Sequence, residues 1–347
     1  MKAMVLKHLW DLNQDRSPLE LVEFPYPSYK ENEVVVEVAT CGVCRTELDE
    51  IEGRTPPSYF PMILGHEIIG RVVEKGSHVQ KLKIGDRVGI AWIHAACGHC
   101  SFCLEGRENL CAEFKATGRD AHGGYAEYTV VKEDYAFPMP SAFTDEEAAP
   151  LLCAGAVGYR SLKLGNVQNG MKIGFSGFGA SAHLVLKAAQ HLFPSSPLYV
   201  FTRNEKERIF ARELGATWVG DFENEPPEKL HLIIDTTPAW KPVVLSLRHL
   251  EKGGRLVINA IRKESRDQDF LLQLSYSKDL WMEKEVKSVA NVTRTDVQEF
   301  LQLAAEASIR PEIQIYPLED ANKALLELKD GKIRGAKVLR IKEHDES

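Results

Sequence analysis

The stretch Gly174–Ala182, "GFSGFGASA", decides the fold of one half of this chain. Its glycines at 177 and 179 and the alanine at 182 match the pattern G-x-G-x-x-A. The first glycine permits a tight turn, the second leaves the backbone uncovered, and the small third residue lets a helix pack closely on a strand. The pattern by itself is weak, but here it joins a strand candidate to a helix candidate. It therefore predicts a strand–turn–helix unit.

The segments that follow alternate regularly between apolar strand patterns and amphipathic helix patterns. This alternation is typical of a doubly wound parallel sheet with helices on both faces. The predicted strands are 172–177, 197–202, 230–237 and 254–261, and the predicted helices are 180–191, 205–214 and 241–250. Towards the carboxyl end, further helices are predicted at 295–307 and 318–329, followed by a strand in "AKVLRIK".

In such a sheet the glycine turn binds the pyrophosphate of a dinucleotide, here with Ala180 and Ser181 at the helix N-terminus. The next strand ends in Thr202, Arg203 and Asn204, where an NAD-binding strand usually ends in an acid. An arginine can bind a 2′-phosphate through two hydrogen bonds. We therefore expect NADP(H); the alternative is that Arg203 stacks on adenine or faces solvent and that NAD(H) is used.

The first part of the chain is rich in short strands. Candidates lie at 33–40, 70–76, 84–90 and 123–131, each bounded by glycine or charged residues, and they predict a small barrel or sandwich. Near residue 144 the pattern becomes helical, with Thr144 as the N-cap and Pro150 dividing the helix into two pieces. The chain is therefore predicted to be an α/β protein with a second, β-rich domain.

Four cysteines cluster within fifteen residues in the spacing C-x2-C-x2-C-x7-C: Cys97, Cys100, Cys103 and Cys111. Four thiolates this close can surround one tetrahedral zinc and leave no position open, which is typical of a structural site. Free thiols and an iron–sulfur cluster are the alternatives. We predict a structural-zinc lobe at about 92–118.

Composition limits the remaining possibilities. The 347 residues exceed one ordinary core, and 44% hydrophobic and 27% charged residues are typical of a globular protein. A formal net charge of -7 argues against nucleic-acid binding, and no apolar run is long enough for a membrane helix. The polar start predicts no secretion signal, so we expect a cytoplasmic protein. Clustered cysteines in a reducing compartment favour metal binding or catalysis.

Three further segments carry residues suited to a second metal site. They are "TCGVCRTE" (40–47), "LGHEIIG" (64–70) with His66 and Glu67, and "LLCAG" (151–155) with Cys153. Two thiolates and an imidazole are the ligands of a catalytic zinc that keeps its fourth position open. Spacing alone does not select the ligands, because these residues lie far apart in the chain.

Six features of the sequence occur along the chain in this order: "CGVCRTE", "GHEIIGRVVEKG", the four-cysteine lobe, "GGYAEY", "LLCAG" and "GFSGFGASAH". This is the order found in zinc-dependent alcohol dehydrogenases of the medium-chain dehydrogenase/reductase family, which this chain resembles over nearly its whole length. The resemblance implies a GroES-like β-rich catalytic domain at 1–153 and 294–347. It implies a Rossmann dinucleotide-binding domain at 154–293. It also implies two zinc ions per chain.

The resemblance also assigns roles around the second zinc. The ligands would be Cys44, His66 and Cys153, and Cys41 would be a small buried packing residue. Thr46 would carry the substrate proton, and Arg45 would meet the cofactor pyrophosphate or form a surface ion pair. The assignments are completed by Glu47 as a partner of the histidine ligand, Glu67 behind the metal, and Asp49 where relatives have a histidine that leads the proton to solvent.

The remaining assignments concern the cofactor and the pocket. The resemblance places the nicotinamide carboxamide near the backbone of Ile258 and Ala260. It places Trp92 in the wall of the substrate pocket, unless that residue is an ordinary core aromatic.

The predicted activity is the interconversion of a small alcohol and an aldehyde or ketone by hydride transfer (EC 1.1.1.-). Alternatives are a polyol or sugar dehydrogenase of the same family and an inactive cofactor-sensing protein. Relatives imply a homodimer or homotetramer.

Overall fold

The computed structural model describes residues 1–331 and 335–342, apart from the side chain of Ala180. The chain divides into two compact units. One consists of Met1–Cys153 and Val292–Ser347, and the other of Ala154–Asn291. No helix in the described part of the chain has both the length and the apolar character needed to cross a bilayer.

The amino-terminal part of the first unit is built mainly from short strands, as the sequence predicts. Its helices are α1 (Arg45–Ile51), α2 (Ser101–Leu104) and α3 (Asp145–Ala148). Its strands are β1 (Lys2–Leu6), β2 (Leu19–Glu23), β3 (Glu33–Val43), β4 (Met62–Ile63), β5 (Ile68–Lys75), β6 (Arg87–Ile90), β7 (Ile93–Ala95), β8 (Lys115–Ala116), β9 (Tyr128–Lys132) and β10 (Ala136–Pro138).

Strand β3 is the centre of this unit, and it pairs antiparallel with both β5 and β9. Its valines at 34, 35, 36 and 38 are fully buried, because β-branched residues suit a strand that is covered on both faces. The strand extends to Val43, three residues beyond the predicted end. It therefore delivers Cys44 directly to the start of α1.

The helical segment after residue 144 is divided at Pro150, as predicted. Thr144 caps α3 by accepting a hydrogen bond from the backbone nitrogen of Glu147 (3.2 Å). A 3-10 turn over Ala149–Leu152 contains the proline, and Cys153 follows it in a non-helical conformation. Because proline cannot continue the hydrogen-bond ladder of an α-helix, the chain is kinked at the point that holds Cys153.

The second unit alternates strands and helices, which confirms the predicted doubly wound sheet. Its helices are α4 (Ala154–Gly165), α5 (Ala180–Leu192), α6 (Glu205–Glu213) and α7 (Lys241–His249). Its strands are β11 (Ile173–Ser176), β12 (Leu198–Phe201), β13 (Trp218–Gly220), β14 (Leu230–Asp235), β15 (Leu250–Ile258) and β16 (Glu285–Ser288).

These strands are parallel and lie in the order β13-β12-β11-β14-β15-β16. The strand order reverses between β11 and β14. Ligands of such sheets bind outside the carboxyl ends of the strands at this reversal. The turn after β11 and the loop after β14 therefore lie at the expected position of a cofactor site.

The carboxyl-terminal part returns to the first unit with α8 (Arg294–Glu306), β17 (Ile313–Pro317), α9 (Ala321–Lys329) and β18 (Ala336–Arg340). Strand β18 pairs antiparallel with β3, with Leu339 opposite Cys41. The large sheet of this unit has the order β10-β6-β5-β3-β18-β17, with β9 also on β3. The last residues therefore complete the sheet whose central strand leads to Cys44.

Candidate active site

One candidate metal centre gathers residues from three separate segments of the first unit. The ligand atoms of Cys44, His66, Glu67 and Cys153 all lie within 4.8 Å of one another. His66 Nε2 is 3.3 Å from Cys153 Sγ. Two thiols, one imidazole and a nearby carboxylate form a donor set that suits Zn²⁺, with three strong ligands and room for a fourth. The residues present therefore fit a catalytic zinc.

Glu47 holds two of these candidate ligands in place. Its Oε2 accepts a hydrogen bond from the backbone nitrogen of Cys44 (2.8 Å), and its Oε1 lies 2.7 Å from Nδ1 of His66. Both Glu47 and His66 are fully buried. A carboxylate on the outer nitrogen of a ligand histidine fixes the ring orientation and leaves Nε2 facing the metal. The Glu47 side chain thus reaches His66, as expected for a partner of the histidine ligand.

The electrostatics of the cluster favour a cation. The hydrogen bond from the Cys153 thiol holds the pKa of Cys44 well below its ordinary value. Burial raises the pKa of Glu67 well above its ordinary value. Burial opposes a charge on His66, yet Glu47 and Cys44 outweigh it and raise the pKa of His66. Burial penalises the ionised form of a carboxyl group such as Glu67, and a cation bound among these groups would offset that penalty.

Gly42 makes room for Glu67. A Cβ at position 42 would lie only 1.8 Å from Oε2 of Glu67 and 2.8 Å from its Cβ. The backbone nitrogen of Gly42 also donates to the carbonyl oxygen of Glu67 (2.9 Å). The glycine in "CGVC" is therefore explained by close approach of the carboxylate that follows His66.

Cys41 lies outside the candidate metal groups of the described residues, although it is only three residues from Cys44. Its sulfur is fully buried and would be 2.8 Å from a Cβ at Gly65 and 3.0 Å from one at Gly124. Burial raises the pKa of Cys41 well above its ordinary value, so the thiol stays neutral. These contacts are those of a small packing residue.

The residues after Cys44 are placed differently from one another. Thr46 is buried, and its Oγ1 lies 3.5 Å from Cys44 Sγ, so its hydroxyl is beside the candidate metal. Arg45 is exposed. Asp49 is buried on α1 and accepts a 2.6 Å hydrogen bond from Nε of Arg54. The carboxylate expected to stand in for a relay histidine is thus engaged in an ion pair.

The four cysteines of the lobe form a second candidate metal site. The Sγ atoms of Cys97, Cys100, Cys103 and Cys111 lie within 4.8 Å of one another. Backbone nitrogens donate to the sulfurs, including Cys100 to Cys97 (3.4 Å) and Glu113 to Cys111 (3.3 Å). Hydrogen bonds from the His99 and Cys100 backbone lower the pKa of Cys97 to about 6. Burial raises the pKa of Cys103 to about 12. Four sulfurs this close together fit a tetrahedral zinc.

Trp92 begins the lobe and is nearly buried. Its ring packs on Phe114 with 5.0 Å between centroids, and the guanidinium of Arg119 lies over the Trp92 ring, 5.1 Å from the ring centroid. Its indole nitrogen has no hydrogen-bond partner among the described residues. A buried indole N–H usually finds an acceptor, so this atom is a candidate contact for a bound molecule.

The glycine turn has the form that a dinucleotide requires. Gly177 has a φ of 83°, and a Cβ there would be 2.8 Å from Oγ1 of Thr236. At Gly179 a Cβ would meet no described atom within 4 Å, so the backbone there is open to close approach by a ligand. Ala182 is buried against the sheet and Ser181 is half-buried on α5. The side chain of Ala180 lies outside the described residues.

The tip of β12 holds both an arginine and a carboxylate. Arg203 is exposed and has no ion-pair partner among the residues that the structure describes. Asn204 caps α6 by accepting from the backbone nitrogen of Lys206 (3.0 Å). The hydroxyl of buried Thr202 donates to the carboxylate of Glu207. The sequence pattern missed this acid, because it comes from the first turn of α6 and not from the strand.

The end of β15 is partly engaged within the sheet. The carbonyl oxygen of Ile258 accepts a hydrogen bond from the backbone nitrogen of Val289 (2.9 Å). Ala260, two residues later, is half-buried beyond the strand end. Of the two predicted carboxamide contacts, Ala260 is the one whose position lies outside the strand.

Sequence reasoning also missed two buried polar side chains around the first metal centre. Glu50 is fully buried, and burial raises its pKa well above the ordinary value. Within the described part of the chain, neither carboxylate oxygen of Glu50 has a hydrogen-bond partner, and the buried hydroxyl of Tyr125 also has none. Their pattern along the chain gave no signal, since a glutamate on a short helix usually faces solvent.

Comparisons with known proteins agree with this arrangement. The family model described as "Alcohol dehydrogenase GroES-like domain" matches residues 30–141, and the one described as "Zinc-binding dehydrogenase" matches residues 214–339. The probable alcohol dehydrogenase AdhA of Mycobacterium tuberculosis is 40% identical over 94% of this chain and 94% of its own. An alcohol dehydrogenase of Geobacillus stearothermophilus is 33% identical over 99% of this chain and 100% of its own.

Solved structures give the same result. A CAD from Helicobacter pylori, crystallised as a complex with NADP(H), superposes with a TM-score of 0.84 and is 25% identical, covering 98% of this chain and 97% of its own. A cobalt- and zinc-bound thermostable alcohol dehydrogenase of Pyrobaculum aerophilum also has a TM-score of 0.84 and is 26% identical, covering 98% and 99%. The chain therefore belongs to the zinc-dependent alcohol dehydrogenases of the medium-chain dehydrogenase/reductase family, with a GroES-like and a Rossmann fold.

Proposed function

We propose that this alcohol dehydrogenase homologue is an active, zinc-dependent enzyme that interconverts a small alcohol and its aldehyde or ketone with a nicotinamide cofactor. One observation carries the proposal: the ligand atoms of Cys44, His66 and Cys153 converge within 4.8 Å, and the Thr46 hydroxyl is 3.5 Å from Cys44 Sγ. A protein that had lost activity would be expected to have lost one of these groups. The proposal includes a second zinc on the four cysteines of the lobe.

The metal and the cofactor bring the reactive chemistry when bound: zinc supplies a Lewis acid that polarises the substrate oxygen, and the nicotinamide accepts or gives the hydride. The chain supplies position and proton transfer. Glu47 orients His66 through Nδ1, and it fixes the Cys44 backbone at the start of α1. We propose that the Thr46 hydroxyl takes the proton of a substrate alcohol and returns it in the reverse direction.

The outer part of the proton path differs from that of relatives with a histidine. The Asp49 carboxylate accepts a 2.6 Å hydrogen bond from Nε of Arg54, so it is already engaged in an ion pair within the protein. We therefore propose that the proton leaves Thr46 towards solvent without passing through Asp49. Replacement of Asp49 by Asn would then leave the pH profile of kcat unchanged, whereas a relay through Asp49 would shift it.

For the cofactor we propose NADP(H), supported by Arg203 at the tip of β12, which is exposed and has no ion-pair partner among the described residues. NAD(H) is a second candidate with an observation of its own, because the Glu207 carboxylate reaches Thr202 at the same tip. A carboxylate there can accept from ribose hydroxyls and would repel a 2′-phosphate. The Helicobacter pylori relative was crystallised with NADP(H), which supports the first candidate.

The two cofactor candidates make opposite predictions for single substitutions. If NADP(H) is the cofactor, Arg203→Ala raises KM for NADPH by about tenfold or more and leaves KM for NADH nearly unchanged. If NAD(H) is the cofactor, Glu207→Gln raises KM for NADH. Wild-type kcat/KM with NADH exceeding that with NADPH by tenfold would contradict the NADP(H) proposal.

The experiment that tests the function as a whole combines zinc analysis with a substrate panel. Purified protein should contain two zinc ions per chain and should oxidise or reduce at least some short alcohols, aldehydes or ketones. Polyols and sugars belong in the same panel, because a polyol dehydrogenase is the nearest alternative activity. One zinc per chain, confined to the lobe, together with cofactor binding but no turnover, would favour a cofactor-sensing protein and contradict the proposal.

A further inference from the structure

A buried polar cluster lies at the strand reversal of the parallel sheet, outside every residue assigned so far. Ser176 ends β11 and Asp235 ends β14, and these strands are neighbours. The Ser176 hydroxyl donates to Oδ1 of Asp235 (2.8 Å), and so does the hydroxyl of Thr237 (2.8 Å). Asp235 is fully buried. This is the part of such a sheet where a dinucleotide binds.

Lys263 completes the cluster from the segment that follows β15. Its side chain is 7% exposed, and its ammonium group is paired with the Asp235 carboxylate. The same ammonium donates to the carbonyl oxygens of Thr237 (2.7 Å) and Ala239 (3.2 Å). An ammonium group has three protons. All three have partners in the protein, so Lys263 is not available to bind a ligand directly.

The loop held by Lys263 adjoins the glycine turn. The backbone nitrogen of Thr236 donates to the carbonyl oxygen of Ser176 (2.9 Å). A Cβ on Gly177 would lie 2.8 Å from Thr236 Oγ1 and 3.0 Å from Thr237 Cγ2. The loop 236–239 therefore forms one side of the turn. A change in the position of this loop would change the backbone that faces the pyrophosphate.

A second hydrogen bond joins the same two segments, since the backbone nitrogen of Glu264 donates to the carbonyl oxygen of Pro238 (2.7 Å). The segment 259–264 thus lies against the loop 236–239, and it includes Ala260, a proposed carboxamide contact. One lysine joins the loops that follow β14 and β15, and through Thr236 it is linked to the turn that follows β11.

Stability alone is a weak reason for this arrangement. A buried ion pair usually contributes little more than a well-packed apolar pair, because both charges lose their hydration. What the pair does supply is one fixed geometry, since a buried ammonium with three acceptors has no equivalent alternative position. A fixed geometry matters where a ligand must meet backbone groups at hydrogen-bonding distance.

We propose that Lys263 is a positioning residue for the nicotinamide dinucleotide: paired with Asp235, it fixes the loop 236–239 against the Gly177 turn and thereby raises cofactor affinity without contacting the cofactor. This inference rests on the proposed function, because it assumes that the second unit binds NADP(H) or NAD(H). It adds a residue that neither the glycine pattern nor the strand tips indicate.

The test measures Kd directly for NADPH and NADH, by nicotinamide fluorescence, in the full-length protein. Lys263→Met leaves a buried carboxylate without its cation and can unfold the unit, so the decisive variant is the double change Lys263→Met with Asp235→Asn. The asparagine oxygen can still accept from Ser176 and Thr237. We expect the double variant to melt near the wild-type Tm and to bind the preferred cofactor about tenfold more weakly.

Two further variants separate positioning from a general effect of charge. Lys241→Met removes an ion pair between Lys241 and Glu223 in the same unit, where both partners are exposed, and should leave Kd unchanged. Lys263→Arg keeps the charge beside Asp235 and should bind the preferred cofactor more tightly than the double variant does. Zinc content should be equal in all variants.

The outcomes are distinguishable. Wild-type Kd in a folded double variant would overturn the positioning role and leave the proposed function intact. A wild-type protein that binds neither NADPH nor NADH would overturn the proposed function, and the positioning role with it. Weaker binding in the double variant, with Tm and zinc content preserved, supports the role, because a merely structural pair would change Tm and not Kd.

Discussion

The two candidate metal centres use similar donors but are built in opposite ways. In the lobe, Cys97 and Cys111 are 14 positions apart, and backbone nitrogens from the same loop donate to the sulfurs. In the other centre, 87 positions separate His66 from Cys153, and the ligands are oriented by Glu47. A local loop can close around a metal by itself, whereas the distant ligands meet only after the sheet around β3 has formed.

This difference predicts different consequences when each centre is damaged. The lobe has four thiols and no position left for a substrate, so its loss should reduce stability. In the other centre the Thr46 hydroxyl, proposed as the proton carrier, lies 3.5 Å from Cys44 Sγ, so loss of this centre should stop the reaction in a folded protein. The five predictions below test that contrast, beginning with the largest expected effect.

Cys44→Ser should lower kcat/KM by about three orders of magnitude, because a Lewis acid contributes several kcal/mol to the transition state. One zinc per chain should be lost while circular dichroism and Tm change little. The measurement is steady-state kinetics together with metal analysis on the same sample. Retention of both zinc ions would mean that Cys44 is not a ligand.

Cys103→Ser should act in the opposite sense, with a fall in Tm of about 5 °C or more, because the bound metal contributes folding free energy to the lobe. Activity per folded molecule should stay within about threefold of wild type, since no lobe ligand faces the reacting atoms. Thermal unfolding and kinetics at low temperature measure both quantities. A variant with normal Tm and no turnover would reverse the roles assigned to the two centres.

Glu47→Gln should weaken zinc binding at the distant centre by about 10- to 100-fold, the usual cost of removing a partner of a ligand histidine. The amide retains an acceptor for the Cys44 backbone but loses the charge beside His66 Nδ1. Competition with a chelator measures the affinity. Glu113→Gln in the lobe serves as the control, and an equal effect of the two changes would contradict the contrast.

Gly42→Ala should cost about 1–3 kcal/mol of unfolding free energy, because the new Cβ overlaps the Glu67 side chain. The double variant Gly42→Ala with Glu67→Ala removes the overlap and should recover most of that loss. Denaturant unfolding measures both. If the double variant is as unstable as the single one, Glu67 is not the reason for the glycine.

Cys41→Ser should have the smallest effect, a loss of about 1 kcal/mol as a hydroxyl replaces a buried apolar thiol. Both zinc ions and kcat should be unchanged. Kinetics and metal analysis of Cys41→Ser and Cys44→Ser, measured side by side, compare the two cysteines of one tetrapeptide. Loss of a zinc ion on replacement of Cys41 would reassign the ligand.

Much of this protein follows from its sequence. The spacing of the four lobe cysteines places their sulfurs together in any short loop, because the chain between them is too short to separate them. The G-x-G-x-x-A pattern and the alternation of strands and helices predict the parallel sheet. They depend on turn conformation and on hydrophobic period, which are local properties.

Other features depended on contacts between distant segments. Local pattern does not distinguish Cys44 from Cys41. The resemblance selected Cys44, and the structure shows it directed towards His66 and Cys153 while Cys41 packs against Gly65 and Gly124. Glu207 reaches the tip of β12 from the first turn of α6, although β12 itself ends without an acid. Lys263 pairs with Asp235 across 28 positions.

The sequence by itself thus determined the class of fold, the lobe and the glycine turn, because each depends on residues that are neighbours in the chain. Only the tertiary structure decided which buried charges meet, namely Glu47 with His66 and Lys263 with Asp235. The physical reason is that a buried charge is tolerated only beside a suitable partner. That partner can come from any segment that the fold brings near.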